Sequence, residues 1–402
     1  MTSEWHEVPL RELVGYISKG IAPSYAEEES ETTIRVLNQK CNRNFQISYG
    51  DSRLHDTRKK KVPPERYVKP DDILINSTGA GTAGRIAQIE DVPSATTIDG
   101  HMILIRSNGK VTQKFLGYAL KAHQWEVLQL DEGSTGQTEL NRDRLLDEIM
   151  INYPVSFDEQ NAIVGTLESI DRKLIVNEQL NDNLEQQAQA IYHERFETVS
   201  PDDLPSDWRI VTLGEVATIS NKSFNPLKEP EILLEHYSIP AFDEARFPVF
   251  ELSTSIKSNK FIIDASCFMI SKLNPTTKRV WKPYCLTGNA VCSTEFIVYK
   301  AKDQSITDFL YSVIDSGSFS DFMCSHVTGS TGSRQRTTPS DTLSYELILP
   351  SEDELAEFQS LVSPMYAQMR INAIENDKLK RLRDSLLPKL MSGEIDVSSV
   401  HL

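Results

Sequence analysis

The sequence predicts an α+β protein: two similar α/β domains joined by two long helices that form an antiparallel coiled coil, with an internal pseudo-two-fold repeat. Three observations carry this prediction. The two halves open alike, they close alike, and each closing is followed by a helix-start signal and an apolar seam at heptad spacing.

The openings are Trp5-His-Glu-Val-Pro-Leu-Arg-Glu-Leu and Trp208-Arg-Ile-Val-Thr-Leu-Gly-Glu-Val, 203 residues apart. The closings are Gly133-Ser-Thr-Gly136 and Gly329-Ser-Thr-Gly332, then Pro154 and Pro350, each pair 196 apart. Two separate blocks at one offset point to duplication. Between these ends the halves share only an outline. Apolar strands around Ile73–Ile75 and Met102–Ile105 answer to Phe268–Ile270 and Phe296–Tyr299, and helices begin near Phe115 and Phe309. Similar frames carrying different loops suggest two modules of one fold with two different targets.

After each proline comes S-x-x-E, as Ser156–Glu159 and Ser351–Glu354. This is the capping box, in which serine and glutamate each satisfy an orphan backbone N–H at a helix start. The seam follows in steps of four and three: Ile163, Leu167, Ile170, Leu174, Asn177, Asn181 and Leu184. Its copy, 195 residues on, is Phe358, Val362, Met365, Met369, Asn372, Asn376 and Leu379. A buried asparagine needs a polar partner, and an antiparallel pairing brings the two mid-seam asparagine pairs together. The alternative is that each amphipathic helix packs on its own domain. The first helix is expected from about Asp158 to about Phe196, roughly 55–60 Å long, followed by a polar, proline-bearing linker, Glu197–Asp207. Pro388 is expected to end or kink the second helix, with Gly393 just beyond. The resulting division is 1–155 first domain, 156–200 first helix, 201–350 second domain, and 351–402 second helix and tail.

The chain has 402 residues, 39% apolar and 25% charged, as in ordinary soluble domains. No apolar run reaches membrane-spanning length, and the start, Met1-Thr-Ser-Glu-Trp-His-Glu, lacks a signal-peptide layout. Five cysteines without C-x-x-C spacing fit a reducing cytoplasm better than disulfides or zinc. The net charge of −16 argues against nucleic acid until its distribution is followed. Arg35–Lys69 carries ten basic residues against three acidic, and Lys257–Lys282 six against one, whereas Pro154–Pro201 holds nine acids and three bases. A phosphate backbone responds to the local field.

Catalytic strings are missing. Gly79-Ala-Gly81-Thr-Ala-Gly84 matches G-x-G-x-x-G, but only Arg85–Ile89 follows before Glu90-Asp-Val-Pro93, too short for the helix a dinucleotide needs. It reads as a glycine turn between strands. Asn274-Pro-Thr-Thr and Asn152-Tyr-Pro do not match the base-gripping loop of an adenine methyltransferase. No P-loop, G-x-S-x-G or H-E-x-x-H is present, no metal-hydrolysis cluster is evident, and Cys285, Cys292, Cys324 and His326 are irregularly spaced. No catalytic, cofactor-binding or metal residue is therefore expected.

What remains is a DNA-contact composition. In the first module it comprises Asn38, Lys40, Arg43, Asn44, Arg53, the run Arg58, Lys59, Lys60 and Lys61, and Gln137 of Ser134-Thr-Gly-Gln137. In the second it comprises Lys272, Asn274, Thr276, Lys278, Arg279 and Trp281, then Arg334 and Arg336. Arginine and lysine suit guanine, asparagine and glutamine suit adenine, and hydroxyls suit phosphate.

The doubled openings, the doubled glycine turns, Asn177-Glu-Gln-Leu-Asn181 with Asn372-Ala-Ile-Glu-Asn376, and the ending Arg383-Asp-Ser-Leu-Leu-Pro-Lys-Leu-Met-Ser-Gly-Glu-Ile-Asp396 together resemble the specificity (S) subunit of type I restriction–modification systems. The resemblance covers essentially the whole chain. It implies two target-recognition domains that read a bipartite, asymmetric site on double-stranded DNA, with the coiled coil setting the gap. It also implies two modification (methyltransferase) subunits docked on the helices, bringing S-adenosylmethionine, and restriction subunits using ATP and Mg. Arg383 departs from the first copy, where the seam has Ala188. Two further readings stand beside this one: an enzyme acting on nucleic acid alone through Gly79–Gly84, and a scaffold whose helices join other proteins.

Overall fold

The computed structural model describes residues 4–79, 81–132, 139–328 and 335–397. The chain divides into two compact units, 1–172 with 380–402, and 173–379. Each unit thus owns one domain and the adjoining stretches of both long helices.

In the first unit Trp5–Pro9 pairs antiparallel with Met150–Pro154, Trp5 opposite Pro154. In the second, Arg209–Thr212 pairs antiparallel with Glu346–Leu349. The duplicated openings and endings are therefore the two strands of one ribbon, made twice, and this is why they persist together in sequence.

The sheet next to each ribbon repeats as well. Its strand order is Val14–Lys19, Met102–Ser107, Ile73–Asn76, Ile86–Gln88 in the first unit and Ala217–Ile219, Phe296–Ala301, Cys267–Ser271, Val280–Trp281 in the second. Ile73–Asn76 and Cys267–Ser271 are buried at every residue. Both faces of these strands are covered, so they read as continuous apolar runs rather than alternating ones. Helices Gln113–Ala122 and Thr307–Asp315 contribute Phe115, Leu116 and Leu120, and Phe309, Leu310 and Ile314, to the respective cores. Thr112 caps the former by accepting from Phe115 N–H at 3.2 Å.

A second sheet in each unit shares a three-strand centre. Thr96–Ile98 runs parallel to Thr33–Leu37, which pairs antiparallel with Arg53–Asp56. Ala290–Ser293, Leu233–Tyr237 and Val249–Leu252 repeat that arrangement. The sheets then grow on opposite sides. The first adds Tyr25–Ala26 beyond Arg53–Asp56, and the second adds Lys260–Ile262 and Ser223–Phe224 beyond Ala290–Ser293. The duplicated frame has diverged at its edges.

The long helices span Phe157–Tyr192, continued by a π-turn over His193–Glu197, and Glu352–Met391. Only the serine half of each capping box forms, to Glu159 N–H at 3.4 Å and Glu354 N–H at 3.3 Å. The glutamates serve elsewhere: Glu159 accepts from Trp5 Nε1, and Glu354 pairs with Arg195. Pro388 does not end the second helix, which continues to Met391. Its missing N–H leaves one interior bond unmade, but Leu387, Leu390 and Met391 are buried in the first unit's core. Gly393 follows at φ +77°, a left-handed turn past the helix end.

Within the second unit the seam runs antiparallel. Asn177 Nδ2 donates to Asn376 Oδ1 and Asn372 Nδ2 to Asn181 Oδ1, each at 2.8 Å. Asn181 and Asn376 also donate to the carbonyls of Met369 and Leu174 on the opposite helix. Leu174, Phe358 and Val362 are buried, and Leu184, Met365, Met369 and Leu379 are partly so. Ile163, Leu167 and Ile170 are buried in the first unit. The alternative of packing on the domain is realised at the same time: Ile163 and Leu167 join the first core, and Phe358 and Val362 the second.

Replacing Asn177 by Leu should lower stability by about 1–3 kcal/mol, because Asn376 Oδ1 loses its donor in a buried seam. Adding Asn376→Leu should recover part of the loss, as read by thermal melting of the single and double variants.

Candidate nucleic-acid interface

The cations anticipated as DNA contacts fall into groups once their surroundings are known. In the first unit, hairpin strands Asn42–Arg43 and Gln46–Ile47 are joined by Asn44 and Phe45, both with positive φ (+52° and +63°). This two-residue turn has both central residues left-handed, as a type I′ hairpin requires. Arg43 and Asn44 are exposed at its tip, and Lys40 is exposed just before it. Asn38 is spent on structure: its Oδ1 caps Lys40 N–H and its Nδ2 donates to the Asp51 carbonyl.

Arg53 lies with its guanidinium 3.4 Å from the Tyr25 ring centroid, on the pair of strands at the edge of the second sheet. Such a stack holds a guanidinium flat while leaving its donors free. In the Arg58–Lys61 run, Arg58 pairs with Asp56 and holds that carboxyl below its usual range. Lys60 donates to the Ala22 carbonyl at 3.0 Å. Lys59 and Lys61 are exposed, and neither side chain has a polar partner among the described residues.

In the second unit the loop Lys272–Arg279 links strands Cys267–Ser271 and Val280–Trp281, with Asn274 left-handed at φ +49°. Asn274 N–H donates to Gln335 O and its carbonyl accepts from Thr277 N–H, so the residue shapes the loop. Lys272 is half-buried and Thr276 exposed. Arg279 makes a two-pronged pair with Asp243, at 2.6 and 2.8 Å, and is only 13% exposed. Arg336 makes a similar pair with Glu295, both bonds 3.0 Å. These bidentate pairs fasten the loop and its neighbouring strand. Trp281 corrects the expectation made for it. It is 3% exposed, packed against Tyr237, Phe242 and Phe296, because it stands on a strand covered on both faces. Gln137 and Arg334, with both Gly-Ser-Thr-Gly turns, lie outside the described residues.

Lys278 Nζ sits 2.8 Å from Asp315 Oδ1 and donates to the Asp315 carbonyl. Asp315 is the last residue of its helix, where the dipole already disfavours negative charge. Burial pushes its carboxyl up to about 6, against the pull of Lys278.

Sequence reasoning missed three groups. Tyr25 belongs to no motif. Glu235 is fully buried, accepting from Tyr237 Oη, from Leu286 and Thr287 N–H and from Thr287 Oγ1, and so pins the loop after Trp281. Asp315 carried no signal either, since its partner lies 37 residues away. The glycine string behaves as expected. Gly79, Gly81 and Gly84 all have positive φ, and strand Ile86–Gln88 follows with no helix between. Among the described residues no cluster of His, Cys, Asp and Glu could hold a metal ion. No helix there is long and apolar enough to cross a membrane.

Comparison with known proteins follows the same lines. Residues 2–186 match the family model of the type I restriction modification DNA specificity domain. The MjaIX type I restriction enzyme specificity subunit of Methanocaldococcus jannaschii is 24% identical over 335 residues, 76% of this chain and 74% of that protein. The HindI specificity subunit of Haemophilus influenzae is 32% identical over 93 residues, 23% of this chain and 20% of that protein. The crystal structure of a type I restriction–modification S subunit from M. genitalium aligns over 97% of this chain and 96% of its own, with a TM-score of 0.57 at 16% identity, and so shares the fold. Residues 2–186, a little under half of the chain, are thus similar to type I restriction modification DNA specificity domains.

An ionised Asp315 opposes folding above pH 6, since its folded-state proton affinity exceeds that of the unfolded chain, and this penalty fades as pH falls from about 6 toward 4. Asp315→Asn should therefore raise stability at pH 7.5 by about 1–3 kcal/mol and lose that advantage near pH 4. Melting curves across this range provide the measurement.

Proposed function

We propose that this chain is the recognition subunit of a type I restriction–modification assembly, reading a bipartite, asymmetric site on double-stranded DNA and catalysing nothing itself. The observation that carries this reading is the repetition. One ribbon, one four-strand order and one three-strand centre occur twice, while the loops on them are largely unlike in sequence. Two copies of one frame with different loops suit two unlike half-sites.

In each module phosphate contacts orient and base-edge contacts specify. The exposed side chains free for either task are Lys40, Arg43, Asn44, Lys59 and Lys61 in the first module, with Arg53 presented on Tyr25. In the second, Thr276 is exposed and Lys272 half-buried. Lys278, Arg279 and Arg336 reach DNA only by exchanging a carboxylate for a phosphate; their first role is to hold the loop.

The chemistry belongs to partners: two methyltransferase subunits with S-adenosylmethionine, and restriction subunits with ATP and Mg. Support for docking on the helices comes from Val176, Leu180 and Ile371, apolar yet 49%, 41% and 55% exposed on them in the second unit. A helix needing only its one seam would carry polar residues there. The acidic balance of Pro154–Pro201 also suits a protein partner better than DNA.

Arg43→Ala should change the base preference in one half of the methylated motif. Lys61→Ala should weaken binding to all sequences alike and lower the salt slope by about one unit. Genome methylation mapping and salt titration of DNA binding separate the two; no change in either assay would count against the reading. Lengthening both helices by one heptad, roughly 10 Å, should widen the spacer by about 3 bp.

A further inference from the structure

The tip of the first module's hairpin is strained in one specific way. Asparagine tolerates the left-handed region, so Asn44 at φ +52° is unremarkable, but an aromatic residue at φ +63° is an outlier that surrounding structure must hold. Phe45 is held from two sides. Its ring packs against the first unit's core, and the Lys121 ammonium lies 4.9 Å from the ring centroid. The strand beneath is fastened separately by Asn42, whose Nδ2 donates to Asn76 Oδ1 and Arg85 O.

Lys121 is itself fixed by the first long helix, through a carboxylate that the second helix orients. Its Nζ pairs at 3.1 Å with Asp171 of the first helix, which also accepts from Tyr118 Oη at 2.8 Å. Arg383 of the second helix reaches the other oxygen of Asp171 at 3.1 Å. The three charged side chains are 10%, 21% and 15% exposed, too enclosed to be ordinary surface ion pairs. The departure at Arg383, where the first copy has Ala188, is thereby accounted for: the seam gives up one apolar residue to complete this cluster.

We propose that Lys121, held by Asp171, which Arg383 orients in turn, is a positioning residue for specificity: it locks Phe45 in its left-handed conformation, so that Arg43 and Asn44 meet one half of the DNA site at a single angle. This rests on the reading of DNA by the first module. A helix residue with no access to DNA then governs which base is accepted, because a rigid tip penalises a wrong base that a mobile tip would accommodate.

The test uses the full chain in its host. Lys121→Met replaces the natural residue, and methylation is scored at cognate sites and at sites with one base changed in either half. The half altered by Arg43→Ala defines the one read by the first module. Its discrimination ratio should fall by about tenfold, while the ratio for the other half stays at the natural value. Lys121→Arg should restore discrimination. Phe45→Asn, which suits the backbone but lacks the ring, should reproduce the loss, and it decides the matter if Lys121→Met fails to accumulate. Unchanged ratios, or a uniform drop in methylation with both ratios preserved, would overturn the proposal and leave Lys121 a structural residue. A natural chain without sequence preference overturns the DNA reading first, and shows this before any substitution is made.

Discussion

Asn177 and Asn376 exchange a hydrogen bond across two helices that run in opposite directions, and Asn181 and Asn372 do the same one step along the seam. Apolar side chains can slide past one another at small cost, whereas a carboxamide in an apolar seam is stable only opposite its partner. Sliding either helix by one turn would leave two of the four without a partner, and sliding it by a heptad would strand all four. These pairs therefore set which residues of the two helices stand side by side, and with them the cores that the helices complete. Phe358 and Val362 meet the second domain in the same register that pairs the asparagines. In the first unit Asp171 and Arg383 face each other in that order too.

The second constraint is the ribbon that closes each domain on itself. Pairing Trp5–Pro9 with Met150–Pro154 brings a domain's beginning to its end, so the intervening hundred-odd residues form a closed excursion. Loops on such an excursion can change without disturbing the ribbon or the helix that leaves it. That is the physical reason two modules can keep one frame while their loops differ. It also explains the opposite growth of the outer sheets: their edges lie outside the shared three-strand centre and can be extended on either side.

The basic residues illustrate how tertiary structure redistributes a charge pattern. Side by side in sequence, Lys278 and Arg279 look like a pair of DNA contacts, yet each faces its own acid, Asp315 and Asp243. Lys59 and Lys61 flank Lys60 in one run, but only Lys60 turns back to a carbonyl. An overall charge of −16 is compatible with nucleic-acid binding because the acids are spent partly on such pairs and partly along the helices.

The amino-acid sequence by itself determined the architecture: the duplication, the long helices and their antiparallel pairing, the strand–glycine turn–strand reading of Gly79–Gly84, and the family resemblance. All of these rest on local or periodic signals, which survive in a one-dimensional string. Pro388, expected to end or kink the second helix, does not end it, because burial of Leu387, Leu390 and Met391 outweighs one missing hydrogen bond, and burial is not a local property. Which candidate side chains are exposed, which are held by carboxylates and which, like Trp281, are in the core was decided only by the tertiary structure. Those distinctions depend on partners far off in sequence, as Lys278 with Asp315, Arg279 with Asp243, and Asp171 with Arg383, 212 residues on. No spacing rule encodes a contact that forms only when separate elements are packed together.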